Sequence, residues 1–178
     1  MTISRLVHTL IYYCIAQYLP SSNSRIPLLG KFGRRFRYYC CSHIFLSIGK
    51  NVNIERRAYF GNGAIIEIGD NSGIGTRAHL PNNIKIGDNV LMGPDCYFFD
   101  CYTHKAERTD IPIIKQGMRR IDSPTVIGDD VWLGMRCVVM PGVTIGKGTI
   151  IGACSVVSKN IPEYVLAVGS PIVIKKKR

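Results

Sequence analysis

Acidic residues are scarce in this chain. Twelve Asp and Glu stand against 23 Lys and Arg over 178 residues, leaving a formal charge of +11. That balance suits a polyanion such as nucleic acid, an acidic membrane surface or a phosphorylated ligand, without choosing among them. Aromatics make up only 9%, with one Trp. The seven cysteines (14, 40, 41, 96, 101, 137 and 154) form an odd set with no CxxC, which argues against a disulfide framework and for reduced thiols in the cytosol. No cleavable signal is evident. The one markedly apolar stretch, LVHTLIYYCIAQYL, is interrupted by His8 and Gln17 and is too short to cross a bilayer. Within it Leu6, Val7, Leu10, Ile11, Cys14, Ile15 and Tyr18 recur at helical spacing, which predicts an amphipathic helix. A hydrophobic content of 46% and a mean hydropathy of +0.10 exclude disorder, and the length suits one domain.

What the chain does have is a period of six. From Ile48 it reads IGKNVN, IERRAY, FGNGAI, then IGDNSG, IGTRAH, LPNNIK, IGDNVL, MGPDCY, and after an interruption IDSPTV, IGDDVW, LGMRCV, VMPGVT, IGKGTI, IGACSV. The first position of every hexad is apolar, the second is usually Gly, and the fifth is small in all but LPNNIK. Such a period fits a short strand followed by a sharp corner, with three hexads closing one triangular coil. The large first residue and small fifth residue fill the interior. Gly, Asn and Asp supply the conformations that corners need. Stacked coils pair their strands in parallel around one continuous core. Cys96 and Cys137 fall on the inward fifth position and read as packing residues.

Regularity fails between residues 98 and 120, FFDCYTHKAERTDIPIIKQGMRR. If Phe98–Thr103 completes its coil, the insertion begins at His104 and runs to about residue 120, so His104 stands at the foot of a loop projecting from a rigid body. An imidazole titrating near neutrality can take a proton from a hydroxyl. A surface histidine with a structural hydrogen bond is also open on placement alone. Asp100, four residues earlier, is a candidate orienter or ligand residue as well as a turn former. Glu107 and Asp110 are weaker candidates, and Cys101 is a conceivable but unsupported nucleophile. Trp132 closes a hexad facing outward, a place for interface or ligand contact.

The runs IGDNVLMGPDCYFFDCYTHKAERTDIPI, TVIGDDVWLGMRCVVMPGVTIG and GACSVVSKNIPEYVLAVGSP resemble the hexapeptide-repeat O-acetyltransferases, both the maltose and galactoside enzymes and the polysaccharide-biosynthesis branch. The resemblance implies an all-β fold, a left-handed parallel β-helix over residues 48–162, with a helical basic segment at 1–47, a loop at about 104–120 and a basic tail at 163–178. It implies a cytoplasmic homotrimer using acetyl coenzyme A and no metal, with His104 as general base for direct transfer to a sugar hydroxyl. The family's coenzyme contacts fall on Met135, Ala153, Ser158, Lys159 and Lys176. Met135 replaces a small polar residue, and an arginine expected near the end reads as Val173. The acceptor-holding Asn and Asp of the sugar enzymes read as Gly73 and Pro81, so Asn82 and Asn83 are the substitutes at hand.

That departure favours a surface-polysaccharide or lipid-linked glycan acceptor over a small free sugar or an amino-acid hydroxyl. Arg5, Arg25, Lys31, Arg34, Arg35 and Arg37 lie beside apolar stretches, so residues 1–40 read either as a contact with an anionic membrane, at the inner face of the plasma membrane, or as a cap on the open end of the β-helix. A zinc site built from three converging histidines is disfavoured, since only His8, His43, His79 and His104 exist. Nucleic acid is not expected as a partner, because no aromatic-basic platform is apparent.

Overall fold

A computed structural model describes residues 2–178. Two antiparallel helices, α1 (Ile3–Cys14) and α2 (Pro27–Ile44), precede the repeat and are joined through a short 3-10 turn at Ala16–Tyr18. The coils then follow in order. The first carries β1 (Ser47–Ile48) and β2 (Asn53–Ile54), the second β3 (Glu67–Ile68) and β4 (Gly73–Ile74), and the third β5 (Ile84–Ile86), β6 (Leu91–Met92) and β7 (Tyr97–Phe98). A hairpin of β8 (Tyr102–His104) and β9 (Met118–Arg120) intervenes. The fourth coil has β10 (Thr125–Ile127), β11 (Trp132–Leu133) and β12 (Val138–Val139), and the fifth has β13 (Thr144–Ile145), β14 (Ile150–Ile151) and β15 (Val156–Val157). The chain ends in β16 (Val165–Val168) and β17 (Val173–Lys177).

The parallel pairings define three faces. Face A stacks β1, β3, β5, β10 and β13; face B stacks β2, β4, β6, β11, β14 and β16; face C stacks β7, β12 and β15. First-position residues such as Ile54, Phe60, Leu80, Leu133, Val139 and Ile151 are fully buried, and so are the fifth-position residues Ala58, Ala78, Cys96, Cys137 and Ser155. The left-handed backbone turns sit on the fourth position: Asn51, Asn71, Asn89 and Asp130 at one corner, Arg57, Arg77, Asp95, Arg136 and Cys154 at the next, all with φ between 54° and 60°. The second-position glycines other than Gly61 answer a different demand, close approach of coil to coil. A Cβ on Gly134 would sit 2.5 Å from the Ala153 nitrogen. The recurring IGD also acquires a cause: Asp70, Asp88 and Asp129 each accept a backbone N–H from the preceding coil, at 2.7, 2.6 and 3.0 Å.

The hexads depart from the coil geometry in two places. Two extra residues separate Phe60 from Ile68, so Ile66, not the fifth-position Ala64, is the buried side chain there. Of the hexad starting at Ile121, only Thr125 and Val126 join a coil, in β10. Ile127 pairs with Ile86 on face A, and Ile121 instead extends the hairpin by donating its N–H to the Cys101 carbonyl at 2.6 Å. The chain thus leaves face C after Phe98 and rejoins face A only at Thr125.

At the N-terminal end Tyr12, Ala16, Cys40, Cys41, Ile44 and Phe45 close over Phe60 and the first coil. The Tyr12 hydroxyl donates to the Ala58 carbonyl at 2.8 Å. Arg37 is fully buried, donating to the carbonyls of Leu19, Pro20 and Ile54, with Glu55 at 3.8 Å. At the other end β17 runs antiparallel to β16, and Arg178 donates to Asp130 at 2.8 Å, so the basic tail is an ordered strand and not a frayed end.

Candidate active site

The site is built from the corner where face C gives way to face A. His104 ends β8 and lies opposite Met118 in β9. Strand alternation puts Tyr102, His104, Met118 and Arg120 on one side of the arm and Thr103 and Arg119 on the other. Gly117, at φ 79°, turns the chain back, and Lys105 donates to its carbonyl. Beyond the strands the arm is tied by its own ion pairs, Arg108 with Asp110 and Arg119 with Glu107. The Arg108 guanidinium holds Asp110 below the usual carboxylate range; Glu107 is held low by its own backbone N–H and by Arg119. These carboxylates are engaged with each other's neighbours and not with the imidazole. His104 itself is exposed, and its ring forms no hydrogen bond among the described residues.

No hydrogen bond joins Asp100 to His104 among the described residues, and one oxygen of the Asp100 carboxylate accepts the N–H of Cys101 at 2.7 Å. Burial, then Asp100, push the Cys101 thiol up, which opposes a nucleophilic role. Asn82 and Asn83 occupy the same corner one coil earlier, between Leu80 and β5, and the Asn82 Oδ1 is buried without a partner among the described residues. Trp132 lies on face B, half exposed, on a different face from the one the arm leaves.

The coenzyme candidates divide among three places. Met135 and Ala153 share the corner between faces B and C on adjacent coils, where the Cys154 N–H donates to the Met135 carbonyl at 2.9 Å. Ser158 and Lys159 follow β15 at the far edge of face C, both exposed. Lys176 stands on β17, beyond face B, paired with Leu166. Four of the five therefore flank face C, from whose third coil the arm departs.

One feature of that face lies outside the motif reading. Tyr59, His79 and Tyr97 stack in register on successive coils, with ring centroids 4.8 and 4.4 Å apart, and Phe99 meets Tyr97 edge-on at 5.2 Å. The signal was present in the sixth position of three hexads. The stack continues into Val138 and Val156, so face C presents an aromatic column leading into an aliphatic one.

Residues 124–159 match the six-repeat model of the bacterial transferase hexapeptide family. A probable acetyltransferase of Mycobacterium tuberculosis is 37% identical over 75% of this chain and 44% of its own length. The galactoside O-acetyltransferase of Escherichia coli is 34% identical over 72% of this chain and 62% of its own. The chain thus spans about half the length of these curated relatives. Among solved structures, a hexapeptide-repeat acetyltransferase of Vibrio cholerae complexed with acetyl coenzyme A superposes with a TM-score of 0.69 at 30% identity, covering 79% of this chain and 75% of that one. The chain belongs to the hexapeptide-repeat acetyltransferases.

Proposed function

We propose that this protein transfers an acetyl group from acetyl coenzyme A to a sugar hydroxyl, with His104 as the general base. The observation that carries the reading is the placement of an unpaired imidazole on an ion-paired arm, beside a face flanked by Met135, Ala153, Ser158 and Lys159. The Vibrio relative's complex supports acetyl coenzyme A as the donor. His104 takes the hydroxyl proton as the oxygen attacks the thioester carbonyl. Backbone N–H groups stabilise the tetrahedral oxyanion, and collapse expels the coenzyme A thiolate, which receives the proton from the imidazolium. No covalent enzyme intermediate is needed.

The finer elements belong to the same reading. The helix is left-handed, as in the family, and three chains associate so that coenzyme lies between neighbouring copies. A neighbouring copy or the bound substrates supply the orienting contact that His104 lacks in its own chain. The acceptor ring rests against Tyr97 and Phe99, with Asn82, Asn83 and Asp100 as polar contacts; Trp132 reaches it only from a second chain. The acceptor is a lipid-linked or surface-polysaccharide glycan, modified in the cytoplasm at the inner face of the plasma membrane. Release of free coenzyme A thiol across a panel of lipid-linked, free-sugar and amino-acid acceptors tests it. His104→Ala should cut acceptor-dependent turnover by about a hundred- to ten-thousand-fold with the oligomer intact. Turnover retained in that variant overturns the mechanism, and a preference for a free galactoside would replace the glycan acceptor.

A further inference from the structure

The amphipathic helix predicted at the N-terminus is present, but it is mounted with most of its apolar stripe outward; of the predicted residues only Ile11 packs against the core. The side of α1 that meets the protein carries Tyr12, with Arg5, His8 and Thr9 half-buried beside it. Ile3, Leu6, Val7, Leu10 and Cys14 form the opposite stripe and are exposed, Ile3 by 84% and Leu10 by 56%. Helix α2 repeats the arrangement. Gly30, Gly33, Arg37, Cys40, Cys41 and Ile44 face the fold, whereas Leu28, Phe32, Arg35 and Tyr39, spaced four, three and four residues apart, face away, Leu28 by 76%. The cap on the β-helix therefore uses only the inner sides of the two helices. Their outer sides leave two exposed apolar stripes of the kind that mark an interaction site.

The charge beside this surface is of one sign. No Asp or Glu occurs before Glu55, while Arg5, Arg25, Lys31, Arg34, Arg35, Arg37 and Lys50 do. Four of them converge. A groove of about 490 Å³ between α2 and the first corner is lined by Lys31, Arg34, Arg35, Tyr38, Lys50 and Asn51, with Val52 at its base. No carboxylate lines it, and among the described residues none of its four cations forms an ion pair. Arg34 is held in place by donating to the Asn51 carbonyl and side chain at 3.1 and 2.6 Å, and Tyr38 by donating to the Gly49 carbonyl at 3.0 Å. The Asp70 carboxylate accepts the Lys50 backbone N–H at 2.7 Å. Lys31 borders the α2 stripe and Arg35 lies within it, so groove and apolar surface are neighbours on one helix.

We propose that the α1–α2 hairpin docks on an anionic phospholipid bilayer, with a lipid phosphate in the Lys31–Arg34–Arg35–Lys50 groove and the outward stripes lying in the headgroup layer. Apolar burial and attraction of basic residues to anionic lipid are the two terms that hold an interfacial helix. A second copy of this chain would bring two cation-rich surfaces together, which is why lipid is the favoured occupant. The proposal deepens the membrane contact in the functional reading but does not rest on acyl transfer, since vesicle binding needs neither coenzyme nor acceptor.

Vesicle flotation of the full chain tests it, with phosphatidylcholine alone and with phosphatidylglycerol added. Binding should require phosphatidylglycerol and weaken with salt. Lys31→Gln with Arg35→Gln should weaken it by roughly tenfold or more, and Leu10→Ser with Phe32→Ser should do the same. All four positions are solvent-facing, so an unchanged melting temperature and unchanged coenzyme release from a soluble acceptor confirm that the variants are folded. Absence of flotation, equal binding to neutral vesicles, or indifference to both pairs of substitutions overturns the proposal. Capture of inorganic pyrophosphate by the groove without flotation assigns it to a soluble anion and also overturns it. So does concentration-dependent assembly that Phe32→Ser abolishes while vesicles go unbound.

Discussion

Gly73 and Gly75 lie two residues apart at the end of β4, and the structure predicts opposite outcomes for placing alanine at each. A Cβ at Gly75 would stand 2.0 Å from the Gly93 carbonyl oxygen, 2.7 Å from its carbon and 2.9 Å from the Met92 oxygen. Comfortable contact needs about 3.5 Å, so the next coil would have to retreat by over an ångström. It is pinned on both sides by cross-coil bonds, Gly73 N–H to the Val90 carbonyl at 2.8 Å and His79 N–H to the Cys96 carbonyl at 2.9 Å. Because the obstacle is backbone, Gly75→Ala should reach the upper end of the overpacking range, about 3 kcal/mol. For a chain of this size that lowers the melting temperature by about 6–12 °C. At Gly73 the only atom near a Cβ is the Val90 oxygen at 3.9 Å. Gly73→Ala should therefore be neutral or stabilise by up to about 1 kcal/mol, through a less flexible unfolded chain. Scanning calorimetry on the two variants decides the matter. Equal losses, or a Gly75→Ala protein within about 2 °C of the parent, would refute the view that second-position glycines exist for coil-to-coil approach.

Two further outcomes follow from buried groups. Burial pushes Glu55 up, but hydrogen bonds from Ser22 and Asn53 and the Arg37 charge outweigh it and leave the carboxyl below its ordinary value. A depressed folded-state pKa gives stability that is present above the unfolded value near 4.3 and is lost as pH falls through the folded one. Glu55→Gln should accordingly cost roughly 3 kcal/mol at neutral pH, by leaving Arg37 buried without its counter-charge. It should also flatten the loss of stability below about pH 4, as read by urea melts across that range. Thiol labelling should divide six of the seven cysteines. Cys14 and Cys154 are exposed and should react in the native protein. Cys40, pushed up by burial to about 11, and the buried Cys41, Cys96 and Cys137 should react only on unfolding, which mass spectrometry of the labelled peptides would show.

Much of this molecule could be read from residue spacing because a solenoid makes its long-range contacts into a local code. Ile127 pairs with Ile86 across the whole inserted arm, yet both are marked by the same IGD that follows from a carboxylate capping the coil before. The code fails where the backbone changes length without changing composition. FGNGAIIE looks like a hexad and a remainder, and the stereochemical cue that Ile66 takes the inward place is invisible in apolar pattern alone. IDSPTV fails for the opposite reason: it has the composition of a hexad, while Ile121 is held by Cys101 in the arm. Alternation too short to register hid β8 and β9, so His104 reads as a loop residue although it ends a paired strand.

The N-terminal helix exposes a limit of another kind. Hydrophobic periodicity specifies that Leu6, Val7 and Leu10 share a side, but not whether that side meets the fold. Here the competing side carries Tyr12, whose hydroxyl reaches the Ala58 carbonyl, and Tyr13, whose hydroxyl donates to Gly61 and accepts from the Phe60 N–H. Those bonds satisfy backbone groups at the open end of the first coil, which a stripe of Leu and Val would leave unpaired at a cost of about 1–3 kcal/mol each. The end of a β-helix needs polar partners for its edge more than it needs additional apolar area. A tyrosine-bearing side therefore wins the inner place, and the more apolar side is left for a partner outside the chain.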